Sequence, residues 1–189
     1  MTAIIVSIVL MLVGVALDQA SKYAIVAFFG IGDYLFKGAD IVDKIAHTLD
    51  SVEIIPGVLQ LSFIANDGAA FGMLDDQRWI FLVLSTIAII GIVGYLFWKK
   101  PQDKLLLASL TLIVSGGIGN MIDRIALGYV IDFIDFCAFP TVWMWVFNVA
   151  DSFVCIGAGM MMLWLILDTV REYKKEKAAK ACEDSENEN

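Results

Sequence analysis

The chain has 189 residues, of which 59% are hydrophobic and 18% charged, and its mean hydropathy is +0.78; soluble domains carry roughly 25% charged residues, so a water-soluble globular protein is excluded. Half of the net charge of -8 resides in the final "CEDSENEN", a polar tail with nothing to bury that is expected to be disordered. Three cysteines, Cys137, Cys155 and Cys182, show neither CxxC nor metal-ligand spacing, so no disulfide framework, metal or cofactor is expected.

A membrane span needs about 20 apolar residues, because helix rise must cover roughly 30 Å of hydrocarbon in which no backbone polar group can stay unpaired. The first candidate covers residues 3–29 and is interrupted by "DQASK". It lacks the positive n-region of a cleaved signal peptide, and its apolar character resumes at full-span length, so it is expected to be an anchor. Asp18 and Lys22 stand at i and i+4 on one face, where they can pair. Alone, they fit a structural pair near the outer interface with Lys22 snorkelling.

Residues 31–50 show no clear period and receive no assignment. The following "VEIIPGVLQLSFIANDGAAFG" predicts short extended segments with turns at Pro56-Gly57 and Asp67-Gly68, hence a small sheet lying on the membrane. Further spans are predicted at 79–98, 104–122 and 145–167. Trp79, Trp98, Trp143 and Trp145 sit at span ends, as an aromatic belt requires. The cations of "KKPQDK" and "REYKKEKAAK" place those segments and both termini in the cytoplasm, leaving residues 30–78 and 125–144 outside. No internal repeat supports an inverted-repeat transporter.

Charges inside spans cost about 2.5–3.5 kcal/mol each on insertion scales, so each needs a partner or a purpose. In "SGGIGNMIDRI", Asn120, Asp123 and Arg124 share one face at the outer end of the third span. Gly116, Gly117 and Gly119 allow close helix packing, and Asp123 with Arg124 suits an interfacial ion pair, but neither account explains the amide. In "YVIDFIDF" the segment is expected to lie along the membrane surface with Asp132 directed inward and Asp135 solvated. In "FNVADSF" Asn148 fits a helix N-cap and Asp151 a first-turn acid. Considered together, Asp132 and Asp151 lie at one interface among apolar neighbours. Two carboxylates sharing a site cannot both ionise easily, which yields an acid and a base at one pH, as peptide hydrolysis requires. His47, the single histidine, lies in the unassigned stretch and lends little to serine or cysteine nucleophile chemistry.

These motifs, "DQASK", "NDGAAFG", "GGIGNMIDR", "VIDF" and "FNVAD" in order over about residues 10–168, resemble the type II (lipoprotein) signal peptidases. The resemblance implies an all-α membrane protein of four transmembrane helices with a small extracytoplasmic β-sheet cradle. It implies a metal-free aspartyl endopeptidase that removes signal peptides from diacylglyceryl-modified prolipoproteins, N-terminal to the lipidated cysteine, at the outer leaflet of a bacterial cell (inner) membrane. The dyad maps onto Asp132 and Asp151, with Asp18, Lys22, Asn66, Gly68, Asn120, Asp123, Arg124 and Asn148 lining or supporting the site. Residues 1–170 are expected to form one domain and 171–189 a charged cytoplasmic tail; the partners expected are the lipidated substrate and membrane lipid, not nucleic acid, and the protein is expected to be a monomer. The stretch 31–50 looks like an insertion relative to the family. The rivals are a small ion- or proton-coupled transporter, which predicts charges near mid-membrane in several spans, and a structural scaffold, which has no need of paired acids.

Overall fold

The computed structural model describes residues 2–67, 78–138 and 145–187. In chain order these form α1 (Thr2–Phe29), a 3-10 turn (Gly32–Tyr34), α2 (Ala39–Ala46), β1 (Val52–Ile55), β2 (Leu59–Asn66), α3 (Arg78–Lys99), α4 (Lys104–Ala126), β3 (Val130–Phe136), β4 (Val146–Phe147) and α5 (Val149–Asn187). Helices α1, α3, α4 and α5 are long and apolar enough to cross a membrane, so the chain is a multi-pass membrane protein. Helix α5 starts later than its predicted span because Val146 and Phe147 pair with β3. It then continues to Asn187, through residues for which composition suggested disorder; Ala, Lys and Glu lose little side-chain freedom in a helix, which favours the extension.

Helix α4 lies at the centre of the bundle, in contact with α1, α3 and α5. In its N-terminal half, Leu106, Leu107, Leu110 and Val114 pack with Met11 of α1 and Leu96 of α3. Asp103 caps α4, accepting from the Leu105 and Leu106 N–H groups at 2.9 and 3.2 Å, and pairs with Arg171 at 3.2 Å. The Leu106 N–H is the main reason its carboxyl is held below the ordinary range.

The sheet is antiparallel throughout, in the order β1-β2-β3-β4. Its first hairpin turns where predicted: Val58 N–H donates to Ile55 O at 2.9 Å, and Gly57 at φ 68° follows Pro56 as a type II turn requires. The second predicted turn ends on Gly68, outside the described residues. The "VIDFIDF" segment, expected to lie along the membrane surface, is an inner strand of the sheet. The β-branched and aromatic residues that looked too apolar for a loop are a strand's buried side. Ile131, Phe133, Phe63 and Ala65 pack on Ile25 and Val26 near the C-terminal end of α1, on Ile31 just beyond it, and on Val42 and Ala46 of α2. The unassigned stretch 31–50 therefore folds over one face of the sheet, and Tyr129 ties it down by donating to Leu35 O at 2.9 Å. Burial, helped by the charge of Asp123, pushes that hydroxyl up to about 12, so it stays a neutral donor.

Candidate active site

Strand side chains alternate between faces, so with Ile131 and Phe133 in the core, Asp132 points the opposite way. There it is 2% exposed and accepts from the side-chain amides of Asn66 at 2.7 Å and Asn148 at 2.6 Å. Burial first, and the neighbouring Asp151 charge second, push the Asp132 carboxyl up to about 7 against the opposing pull of those amides and Lys22.

Asp151 arrives from the first turn of α5. The Asn148 side-chain oxygen accepts from the Asp151 backbone N–H at 2.9 Å, and the Asp151 carboxylate accepts from the Asn148 backbone N–H at 3.1 Å, which is the reciprocal exchange of a capping box. The cap anticipated from the sequence is therefore present, and it has a geometric consequence. With its oxygen committed to Asp151, the Asn148 amide must turn its nitrogen outward, where it donates to Asp132 and to Asn120 Oδ1 at 3.1 Å. One side chain thus joins the two carboxyl groups. Asn120 completes the ring by donating to Asp151 Oδ1 at 2.7 Å.

Behind this ring stands a buried ionic cluster. Lys22, 2% exposed, directs its ammonium to Asp18 at 2.9 Å, Asp123 at 2.9 Å and Asn120 Oδ1 at 3.0 Å, so its three donors meet three acceptors. The predicted Asp18–Lys22 pair is present. For Asp123 the expected partner, Arg124, gives way to Lys22, and Asp123 also accepts from Gln19 at 2.9 Å and from Ile131 N–H at 3.2 Å. The reason is geometric: adjacent residues on a helix point about 100° apart, whereas α1 lies directly across from Asp123. The Arg124 guanidinium instead attracts Asp151, Asp132 and Asp123 together.

Two of these contacts hold separate elements in place. Asp18 accepts from the Ala150 N–H at 2.9 Å, fixing the start of α5 to α1, while Asp123 on Ile131 N–H fixes the sheet to α4. The approach is close enough to exclude side chains on α4: a Cβ on Gly119 would meet Asp18 Oδ2, and one on Gly116 would meet the Ala150 carbonyl.

The structure brings together Asp18, Lys22, Asn66, Asn120, Asp123, Arg124, Asp132, Asn148 and Asp151; Gly68 lies outside the described residues. Asp135 was expected to be solvated, but it accepts from Gln60 at 2.5 Å and Ser62 at 3.2 Å, because its register partner across β2 is a glutamine. Sequence reasoning missed Gln19, whose amide lies between Asp123, Asp18 and the Gly119 carbonyl. Its place between Asp18 and Lys22, three residues before the lysine, was the available signal.

Residues 10–167 match the family model described as Signal peptidase (SPase) II. The chain is 39% identical over 168 residues to the lipoprotein signal peptidase of Halalkalibacterium halodurans, covering 89% of this chain and 96% of the relative. It is 38% identical over 165 residues to that of Symbiobacterium thermophilum, covering 85% and 94%. Its fold is similar to a bacterial membrane enzyme solved by the in meso method at 2.3 Å resolution, with a TM-score of 0.71 and 30% identity over 87% of this chain and 89% of that one.

Proposed function

This chain belongs to the signal peptidase II family, and from that premise we propose that Asp132 and Asp151 form its catalytic pair, hydrolysing the bond N-terminal to a diacylglyceryl-modified cysteine in prolipoproteins. The observation that carries this reading is the Asn148 bridge, which links a buried carboxyl to a second one at a helix N-terminus. Asp132, surrounded by neutral amides and pushed up to about 7, holds the shared proton. Asp151, half-buried at the start of α5, is the base.

In the reaction, Asp151 takes a proton from water as the hydroxyl oxygen bonds to the scissile carbonyl carbon, and Asp132 gives its proton to the carbonyl oxygen. The tetrahedral intermediate then returns a proton to Asp132 as its C–N bond breaks. Asp151 delivers its proton to the departing amine, so both carboxyls end as they began. The active site faces the outer leaflet with both termini in the cytoplasm, since the cations flanking the spans gather at the opposite end. Residues 1–170 act as one monomeric domain, and the lipidated substrate enters sideways from the bilayer.

The test is incubation of the purified protein with a diacylglyceryl-modified prolipoprotein in active detergent. Release of the signal peptide is expected. Its absence would return the chain to the transporter or scaffold readings.

A further inference from the structure

Lys22 is buried, charged and unused by the chemistry just described. All three of its donors are occupied; its charge favours both ionised carboxyls of the pair, and its one hydrogen-bonded route to them is through Asn120. An ammonium can only donate, so Asn120 must present its oxygen to Lys22. Asn148 places a second donor on the same oxygen at 3.1 Å. The Asn120 nitrogen is thereby turned to Asp151 Oδ1 at 2.7 Å. With the amide reversed, its oxygen would lie against the Asp151 carboxyl and its nitrogen against both Lys22 and the Asn148 amide; only a protonated Asp151 would tolerate that.

Asp132 has no such arm, since its donors are the amides of Asn66 and Asn148. Other charges add to the distinction without setting the orientation of the Asn120 amide. Arg124 attracts both carboxyls, Asp151 before Asp132, and Asp18 and Asp123 are both matched against Lys22. Two donors distinguish Asp151 from Asp132, the Asn148 backbone N–H and the Asn120 amide, and the second of them is oriented by the Lys22–Asn120 contact.

We propose that Lys22 is a positioning residue of the hydrolysis: acting through the Asn120 amide, it keeps Asp151 the ionised partner and leaves the shared proton on Asp132. The proposal rests on Asp132 and Asp151 being the catalytic pair. It separates two functions of the ionic cluster, because holding the fold requires only that the lysine charge be matched, whereas setting the proton requires that the match include the Asn120 oxygen.

The experiment measures kcat and KM against pH, with lipidated prolipoprotein, for the wild type, Lys22→Met, Asn120→Ala and the two combined. Lys22→Met is expected to lower kcat about 10- to 100-fold, as loss of an orienting partner does elsewhere, with KM within about twofold. The acidic limb of the kcat profile should move up by about one pH unit, the shift expected for losing one favourable charge or donor. Asn120→Ala should show the same limb shift, and adding Lys22→Met to it should cause little further loss, since both act on one contact. Where Lys22→Met leaves Asp18 and Asp123 too poorly matched to fold, the charge-neutral Lys22→Met/Asp123→Asn variant and Asn120→Ala alone decide the matter by the same limb. A folded variant with the wild-type acidic limb, or losses that multiply in the combined variant, would overturn the proposal and leave Lys22 a structural ion. Failure of the underlying reading looks different: the wild type releases no signal peptide, or Asp132→Asn and Asp151→Asn both turn over normally.

Discussion

Replacing Asp132 with Asn removes a charge from a place that resists it, so the loss of activity should be accompanied by a gain in stability at neutral pH. Asp132 is 2% exposed, and its carboxyl is pushed from 3.8 to about 7 by burial and by Asp151. The folded state therefore holds a proton that the unfolded chain has released, and stability falls as pH rises through that window. Above about pH 7 the full penalty is present; at about 1.4 kcal/mol per pH unit it amounts to roughly 4 kcal/mol. At about pH 4 the wild-type carboxyl is neutral and the penalty is gone, while both of its oxygens can still accept from Asn66 and Asn148 and an amide offers them a single acceptor, so the variant should at most match the wild type. For a chain of this size each kcal/mol moves the melting temperature by about 2–4 °C. Thermal melts in detergent should thus show Asp132→Asn near wild type at about pH 4 and higher by on the order of 10 °C at about pH 8. A difference that does not change with pH would mean that Asp132 is ionised throughout and is not the proton carrier of the pair.

Asp132→Asn and Asp151→Asn should each abolish signal-peptide release with membrane insertion unchanged, and the wild-type rate should follow a bell-shaped pH profile belonging to the pair; wild-type turnover in either variant would remove that residue from the chemistry. Asp123→Ala should lower the melting temperature more than Asp132→Ala, because it takes a partner from Lys22 and the acceptor from Ile131 N–H, and breaking such a buried network costs about 3–5 kcal/mol. On α4, Gly116→Ala and Gly119→Ala should lose stability by about 1–3 kcal/mol, while Gly117→Ala, whose Cβ would sit 3.4 Å from the Ile89 side chain, should melt near wild type. A precursor lacking the diacylglyceryl group loses about 0.8 kcal/mol per CH₂ no longer buried and should bind weaker by orders of magnitude; near-equal processing of both forms would rule out capture from the bilayer.

Spans and candidate site were legible in the sequence for different reasons. Hydrophobic length and flanking tryptophans mark α1, α3, α4 and α5 because lipid imposes a minimum on each. The pair Asp132 and Asp151 could be singled out because a carboxyl among apolar residues needs a reason. The identity of partners could not be read, since it depends on which helix lies across the bundle. Asp123 and Arg124 are neighbours in the chain, yet Asp123 reaches to Lys22, 101 positions away. Strand β3 was read as a surface segment because its pairing partners lie in separate loops, β2 before α3 and β4 just before α5. Helix α2 escaped because eight residues cover barely two turns, too few for a 3.6-residue period to emerge from a mixed stretch.

The same non-locality bears on how the site is kept in register. Asp132 belongs to a sheet and Asp151 to a helix, so no single element sets the distance between them. What fixes it is a pair of carboxylates that accept backbone N–H groups from the two elements: Asp123 from Ile131, one residue before Asp132, and Asp18 from Ala150, one residue before Asp151. Both carboxylates are held by the same Lys22 ammonium. Displacing the strand or the start of α5 would therefore strand a charge at membrane depth, where desolvation penalises it by several kcal/mol. The ionic cluster makes the geometry of the pair a condition of burying the lysine. That explains why two membrane spans carry between them two acids and a lysine whose mutual attraction alone would scarcely stabilise them.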